Sequence, residues 1–182
     1  MNITVFGGAS PLPGESAYLE AMRLGRLLGA AGHTVLTGGY IGVMEAVSRG
    51  ASEAGGHVIG VTCREIEAWR KIGPNPWVKE EWRFDTLRER LFALIDGCQA
   101  ALAMPGGAGT LGEIALMWNQ MITASIPPRP LILIGSGWQA AFEQIFTGLD
   151  EYISIPDRRF LSFSENVDAA VRELNLQMEN RI

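Results

Sequence analysis

Short apolar, β-branched runs alternate along the chain with longer segments in which apolar residues recur every three or four positions. The first run covers 2–6 (NITVF), and a Pro/Gly loop (Pro11, Pro13, Gly14) follows it. A helix is then expected from Ser16, with Tyr18, Ala21, Met22, Leu24, Leu27 and Leu28 as its buried stripe and Gly32 as its stop. Residues 33–37 (HTVLT) read as a second strand, 43–54 as a second helix and 57–62 (HVIGVT) as a third strand. A β–α–β–α–β opening predicts a parallel sheet with right-handed crossovers.

The pattern weakens over 63–82, where Trp69, Trp77 and Trp82 sit among charges and Pro74 and Pro76 break any helix. This stretch reads as a packed connection, with a lid over a ligand and a subunit contact as the alternatives. Periodicity returns over 85–96 as a helix, and the apolar run 100–104 reads as a buried strand. A helix opening at Thr110, a loop at Pro127, Pro128 and Pro130, and a strand over 131–134 come next. A helix from Trp138, a proline-bounded segment near Pro156 and a last amphipathic helix from Asn166 complete the reading. Repeats, low-complexity tracts and linkers are absent from the sequence, so 1–182 is expected to be one α/β domain, a parallel sheet with helices on both faces.

Composition narrows the function. With 47% hydrophobic and 19% charged residues, the 182-residue chain suits a packed core and not disorder. A net charge of −5 disfavours non-specific binding to nucleic acid or anionic membrane. Cys63 and Cys98 lack any CxxC spacing and read as buried, reduced thiols. The expected compartment is cytoplasmic, because the first strand begins without a basic flank or cleavage site and no apolar run reaches membrane-spanning length.

Three predicted strands end in glycine-rich turns: GGAS from Gly7, GGYIG from Gly38 and PGGAGT from Pro105. Ligands of open parallel sheets bind beyond such strand ends, and a glycine turn leading into a helix N-terminus offers backbone N–H groups to a phosphate. The expected phosphate-binding residues are Gly8, Ser10, Gly38, Gly39, Gly42, Gly106, Gly107, Ala108, Gly109 and Thr110. The lysine of a GxxxxGK[ST] loop is missing, which disfavours a nucleoside triphosphatase, and the absence of GxGxxG disfavours a dinucleotide.

Glu113 has two readings. Thr110 to Glu113 spells the capping box T-x-x-E, and the same position sets a carboxylate at the mouth of an anion-binding turn. On the helix over 85–96, Leu87, Leu91, Leu94 and Ile95 form the apolar stripe, with Arg88 and Arg90 on its opposite shoulders. Periodicity leaves open which arginine leans towards the crevice.

These residues together resemble the LOG (Lonely Guy) family, formerly called lysine-decarboxylase-like, whose activity is cytokinin riboside 5′-monophosphate phosphoribohydrolase. PGGAGTLGE at 105–113 is similar to the family's PGGxGTxxE, GGYIGVM at 38–44 to its GGxxGxM, and VFGGAS at 5–10 to its first strand and turn. The resemblance implies a Rossmann-like fold, Arg90 and Glu113 as catalytic residues, no metal or redox cofactor, and a homodimer with the site near its interface. The helix around Leu116, Trp118 and Met121 would supply that interface, or would pack in the core. The implied reaction cleaves a nucleoside 5′-monophosphate to free base and ribose 5-phosphate, with AMP as good a substrate as a cytokinin nucleotide.

Three positions depart from the family pattern. Leu91 replaces a lysine after the arginine, Gly112 replaces an acidic residue, and Arg88 replaces a histidine. The turn and helix at 42–56 also look similar to molybdenum-cofactor carrier proteins, which makes a non-catalytic nucleotide or cofactor carrier the alternative. Lysine decarboxylation is disfavoured, because the only lysines, Lys71 and Lys79, both lie in the irregular Trp-rich stretch.

Overall fold

Strand β1 (Asn2–Phe6) lies inside a seven-stranded sheet of order β4-β3-β2-β1-β5-β6-β7, and every neighbouring pair runs parallel. This computed structural model describes residues 1–179. The first half alternates as β1, α1 (Ser16–Ala30), β2 (Thr34–Thr37), α2 (Val43–Glu53) and β3 (His57–Cys63). It continues through α3 (Arg64–Arg70), β4 (Glu80–Phe84), α4 (Leu87–Asp96) and β5 (Ala100–Ala103). The second half carries α5 (Ala108–Ile122), β6 (Leu131–Ile134), α6 (Ser136–Gly148), α7 (Ile155–Arg158), β7 (Ser162–Ser164) and α8 (Val167–Glu179).

Because side chains alternate along a strand, each strand feeds two cores. Ile3, Val5, Val35, Val58, Leu102 and Ile132 pack against α1, α2 and α8 on one face. Phe6, Leu36, Ile59, Ala101 and Leu133 meet α4, α5 and α6 on the other. Burial on both sides explains why the central strands read as continuous apolar runs instead of alternating ones. The result is the expected Rossmann-like parallel sheet with helices on both faces.

Two stretches depart from the sequence reading. Residues 63–82, read as a packed connection without a strand, hold α3 and lead into β4, which pairs with β3 from Ile59↔Glu80 to Cys63↔Phe84. The segment after Pro156 adds the edge strand β7, paired with β6. For Leu116, Trp118 and Met121 the core-packing reading holds within the chain. Met121 is buried, Leu116 and Trp118 pack on the same core, and the Trp118 indole N–H donates to the Asp157 carbonyl at 2.8 Å. Both cysteines are buried and free. Among the described residues no helix is long and apolar enough to cross a membrane.

Candidate functional site

Strand order reverses between β1 and β5, so the chain leaves these neighbours in opposite directions and opens a crevice at their C-terminal ends. The Gly8 N–H donates to the Pro105 carbonyl (3.1 Å), and the Gly8 carbonyl accepts from the Val43 N–H (2.9 Å). One residue, Gly8, thus ties the turns after β1, β2 and β5 together. A cavity of about 580 Å³ lies over them, lined by Gly8, Ser10, Tyr40, Arg90, Glu113 and residues 107–110 among others.

The predicted phosphate-binding set divides in two. Gly8, Ser10, Gly107, Ala108, Gly109 and Thr110 line this cavity, whereas Gly38, Gly39, Gly42 and Gly106 are not among its lining residues. These four lie behind the wall and shape it. Gly106 is packed so closely that a Cβ there would stand 2.2 Å from Thr110 Oγ1 and 2.9 Å from the Gly8 nitrogen. A close crossing of the two turns therefore requires glycine at 106.

Helix α5 begins at Ala108 with Gly107 as its N-cap, two residues earlier than expected, and no side chain caps it. Ala108, Gly109 and Thr110 then form its first turn, where N–H groups have no carbonyl one turn back and the dipole is positive. The capping-box reading of Thr110 and Glu113 is therefore incorrect. The same T-x-x-E spacing does form a capping box on α4: Thr86 Oγ1 accepts from the Glu89 N–H (3.2 Å), and Glu89 Oε2 accepts from the Thr86 N–H (3.0 Å). Glu113 is left free of that duty and faces the cavity.

Arg90 is the arginine that turns inward. It is 5% exposed, while Arg88 is exposed on the surface. Leu87, expected in the buried stripe, is instead 40% exposed at the cavity rim, so the buried face of α4 centres on Arg90, Leu94 and Ile95. The Arg90 Nε donates to the Val61 carbonyl (2.8 Å) and Nη2 to the Gly38 carbonyl (3.2 Å). Nη1 lies 3.9 Å from Glu113 Oε1, an ion pair looser than a hydrogen bond. Burial lifts the Glu113 carboxyl from 4.5 to about 7, against the opposing pull of the Arg90 charge. A carboxyl poised near neutrality beside a fixed cation is suited to proton transfer.

Asn75 escaped the sequence reading. It is 7% exposed, and its Nδ2 donates to the Gly39 (3.0 Å) and Tyr40 (2.9 Å) carbonyls while its own N–H donates to Gly39 (2.8 Å). The GGYIG turn is thus clamped from the segment between α3 and β4. Tyr40 is held in turn: its hydroxyl accepts from the Cys63 N–H (2.8 Å) and donates to the Cys63 carbonyl (3.1 Å).

A smaller cavity of about 300 Å³ lies beside Met104 and Ile134, with Glu20 and Glu165 in its wall and no basic residue among those lining it. Two carboxylates disfavour an anion there, whereas the cavity over the glycine turns has Arg90 and Arg70 in its lining. Among the described residues no group of three or more His, Cys, Asp and Glu side chains converges as a metal site would.

The sequence model of the SLOG cluster4 family matches residues 1–126, from β1 into the loop after α5. The chain belongs to that family. As expected from the motifs, LOG proteins stand among this SLOG chain's relatives. It is 29% identical over 167 residues to the probable cytokinin riboside 5′-monophosphate phosphoribohydrolase LOGL5 of Oryza sativa subsp. japonica, covering 87% of this chain and 65% of the rice protein. It is 32% identical over 150 residues to the pyrimidine/purine nucleotide 5′-monophosphate nucleosidase of Escherichia coli K12, covering 76% of this chain and 32% of that enzyme. The SLOG chain thus matches just under two thirds of one relative and about a third of the other. Among solved structures, the molybdenum cofactor carrier protein of Chlamydomonas reinhardtii superposes with a TM-score of 0.72 at 26% identity, over 98% of each chain.

Proposed function

We propose that this chain hydrolyses the N-glycosidic bond of a nucleoside 5′-monophosphate of the AMP or cytokinin-nucleotide type, releasing free base and ribose 5-phosphate. The observation that carries this reading is the Arg90–Glu113 pair in the wall of a cavity whose floor is the first turn of α5. The 5′-phosphate is received by the N–H groups at 107–110. Glu113 lies five positions after Ala108, a rise of about 7.5 Å along the helix. In this reading that rise spans roughly one ribose unit, from the phosphate to C1′.

As the bond from C1′ to the base nitrogen breaks, positive charge builds on the sugar. The Glu113 carboxylate stabilises that charge and takes a proton from the water that adds to C1′, while the base leaves with the bonding electron pair and is protonated from solvent. Two bonds from Arg90 to backbone carbonyls fix its guanidinium, so Nη1 holds Glu113 and the substrate in register without reorganisation. The names of the rice and Escherichia coli relatives support this reaction class.

A carrier of a phosphate-bearing cofactor is the second reading, favoured by the likeness to the Chlamydomonas carrier over 98% of both chains. Adenine release from AMP by the purified protein separates the two, with adenosine as the phosphate-free control and Arg90→Ala and Glu113→Ala as variants. Hydrolysis of AMP but not adenosine, lost in both variants, is the expected result. Tight binding of AMP with no release of adenine would overturn hydrolysis in favour of the carrier.

A further inference from the structure

Helix α3 forms one side of the cavity mouth through Ile66, Trp69 and Arg70, opposite the phosphate turn on α5. No residue of α3 is buried, so packing does not explain why an indole sits there. The helix is held instead by polar ties: Arg64 to Asp85 (3.2 Å), Glu67 to Arg83, and Glu65 Oε2 accepting from the Leu87 N–H (2.7 Å). Trp69 is 73% exposed, and among the described residues its one ring partner is the Arg70 guanidinium, 4.7 Å from the ring centroid. One indole face is covered by that cation and the rest of the ring is open.

We infer that Trp69 is the platform on which this site stacks the base of its nucleotide. The inference rests on the nucleotide reading above. A monophosphate anchored at 107–110 with C1′ at Glu113 projects its base towards the mouth, and the side chains it meets there are Ile66, Trp69, Leu87 and Leu91. Among the side chains of this wall the hydrogen-bond donors are the Arg70 guanidinium and the Trp69 indole N–H, and no amide or carboxylate is present to read a base edge. Recognition by stacking tolerates every base, because each has a π face, and it grows with ring area. The substrate class is therefore a set of nucleoside monophosphates graded by base size, purines above pyrimidines.

The test measures calorimetric dissociation constants for AMP, UMP and ribose 5-phosphate in the Glu113→Gln background, which keeps the nucleotides intact, with Trp69→Ala and Trp69→Phe added. Trp69→Ala should weaken AMP about tenfold or more and UMP less, leave ribose 5-phosphate within about twofold, and be largely rescued by Trp69→Phe. Equal weakening of AMP and ribose 5-phosphate, or no weakening of AMP, overturns the stacking role while leaving the nucleotide reading intact. If the parent protein binds neither AMP nor ribose 5-phosphate, the nucleotide reading falls and takes this inference with it.

Discussion

Gly38 lies directly beneath the Arg90 guanidinium, so close that a Cβ at 38 would stand 1.9 Å from Nη2. The same residue offers its carbonyl to Nη2. Glycine at this position is thus the space in which the arginine rests. Gly38→Ala should push the guanidinium away from Glu113 and lower kcat/KM for base release about a hundredfold. Steady-state kinetics beside a thermal melt check this, and a variant with unchanged kinetics would show that Arg90 tolerates displacement.

The raised Glu113 carboxyl sets a pH profile. If its carboxylate is the reactive form, kcat/KM should rise about tenfold per pH unit below pH 7 and level off above it. Glu113→Gln should leave only a flat residual rate. A wild-type profile that is flat from pH 5 to 8 would remove Glu113 from the proton-transfer step.

The same shift links to stability. Between pH 4.5 and about 7 the folded chain holds a proton on Glu113 that the unfolded chain has released. Stability is therefore greatest at the acid end of this window and falls by about 3 kcal/mol as pH rises through it. Glu113→Gln lacks that slope, so urea denaturation should show it gaining on wild type from pH 5 to pH 8. A constant difference between the two proteins would contradict the linkage.

Asn75→Ala strips donors from the Gly39 and Tyr40 carbonyls in a buried place. It should cost about 2–4 kcal/mol in urea unfolding and slow base release as well, because the clamped turn also carries the Gly38 carbonyl that holds Arg90. Asn75→Asp, which keeps the size and loses the amide donors, should be no better.

Leu91 lines the cavity where the resembled family has a lysine. Leu91→Lys adds a cation to the anion site, and it should lower KM for AMP about tenfold. The added charge also favours the ionised carboxyl, so the midpoint of the pH profile should move acid by about one unit. An unchanged midpoint would place the new ammonium outside the reach of Glu113.

The legible parts of this structure were those in which each residue's burial follows from its neighbours in sequence. The core strands, α1 and α2 announced themselves by apolar runs and stripes. Helix α3 buries no residue, and the edge strand β4 (EEWRF) is half polar with one neighbour, so neither leaves a hydrophobic period. Arg90 was placed at the site only through the family resemblance, because Leu87 looks like a core residue and instead edges the cavity. The repeated T-x-x-E spacing shows the limit sharply: Thr86 and Glu89 cap a helix, while Thr110 and Glu113 lie inside one that starts earlier, at Ala108. Asn75 was invisible, since its partners stand 35 and 36 residues away.

Gly8, bonded to Pro105 through its N–H and to Val43 through its carbonyl, governs how the site comes apart. The three turns form a single opening unit, and none can fray without releasing the others. Amide hydrogens at Gly8 and Val43 should therefore exchange with solvent at one common rate, and occupancy of the α5 turn should slow both together.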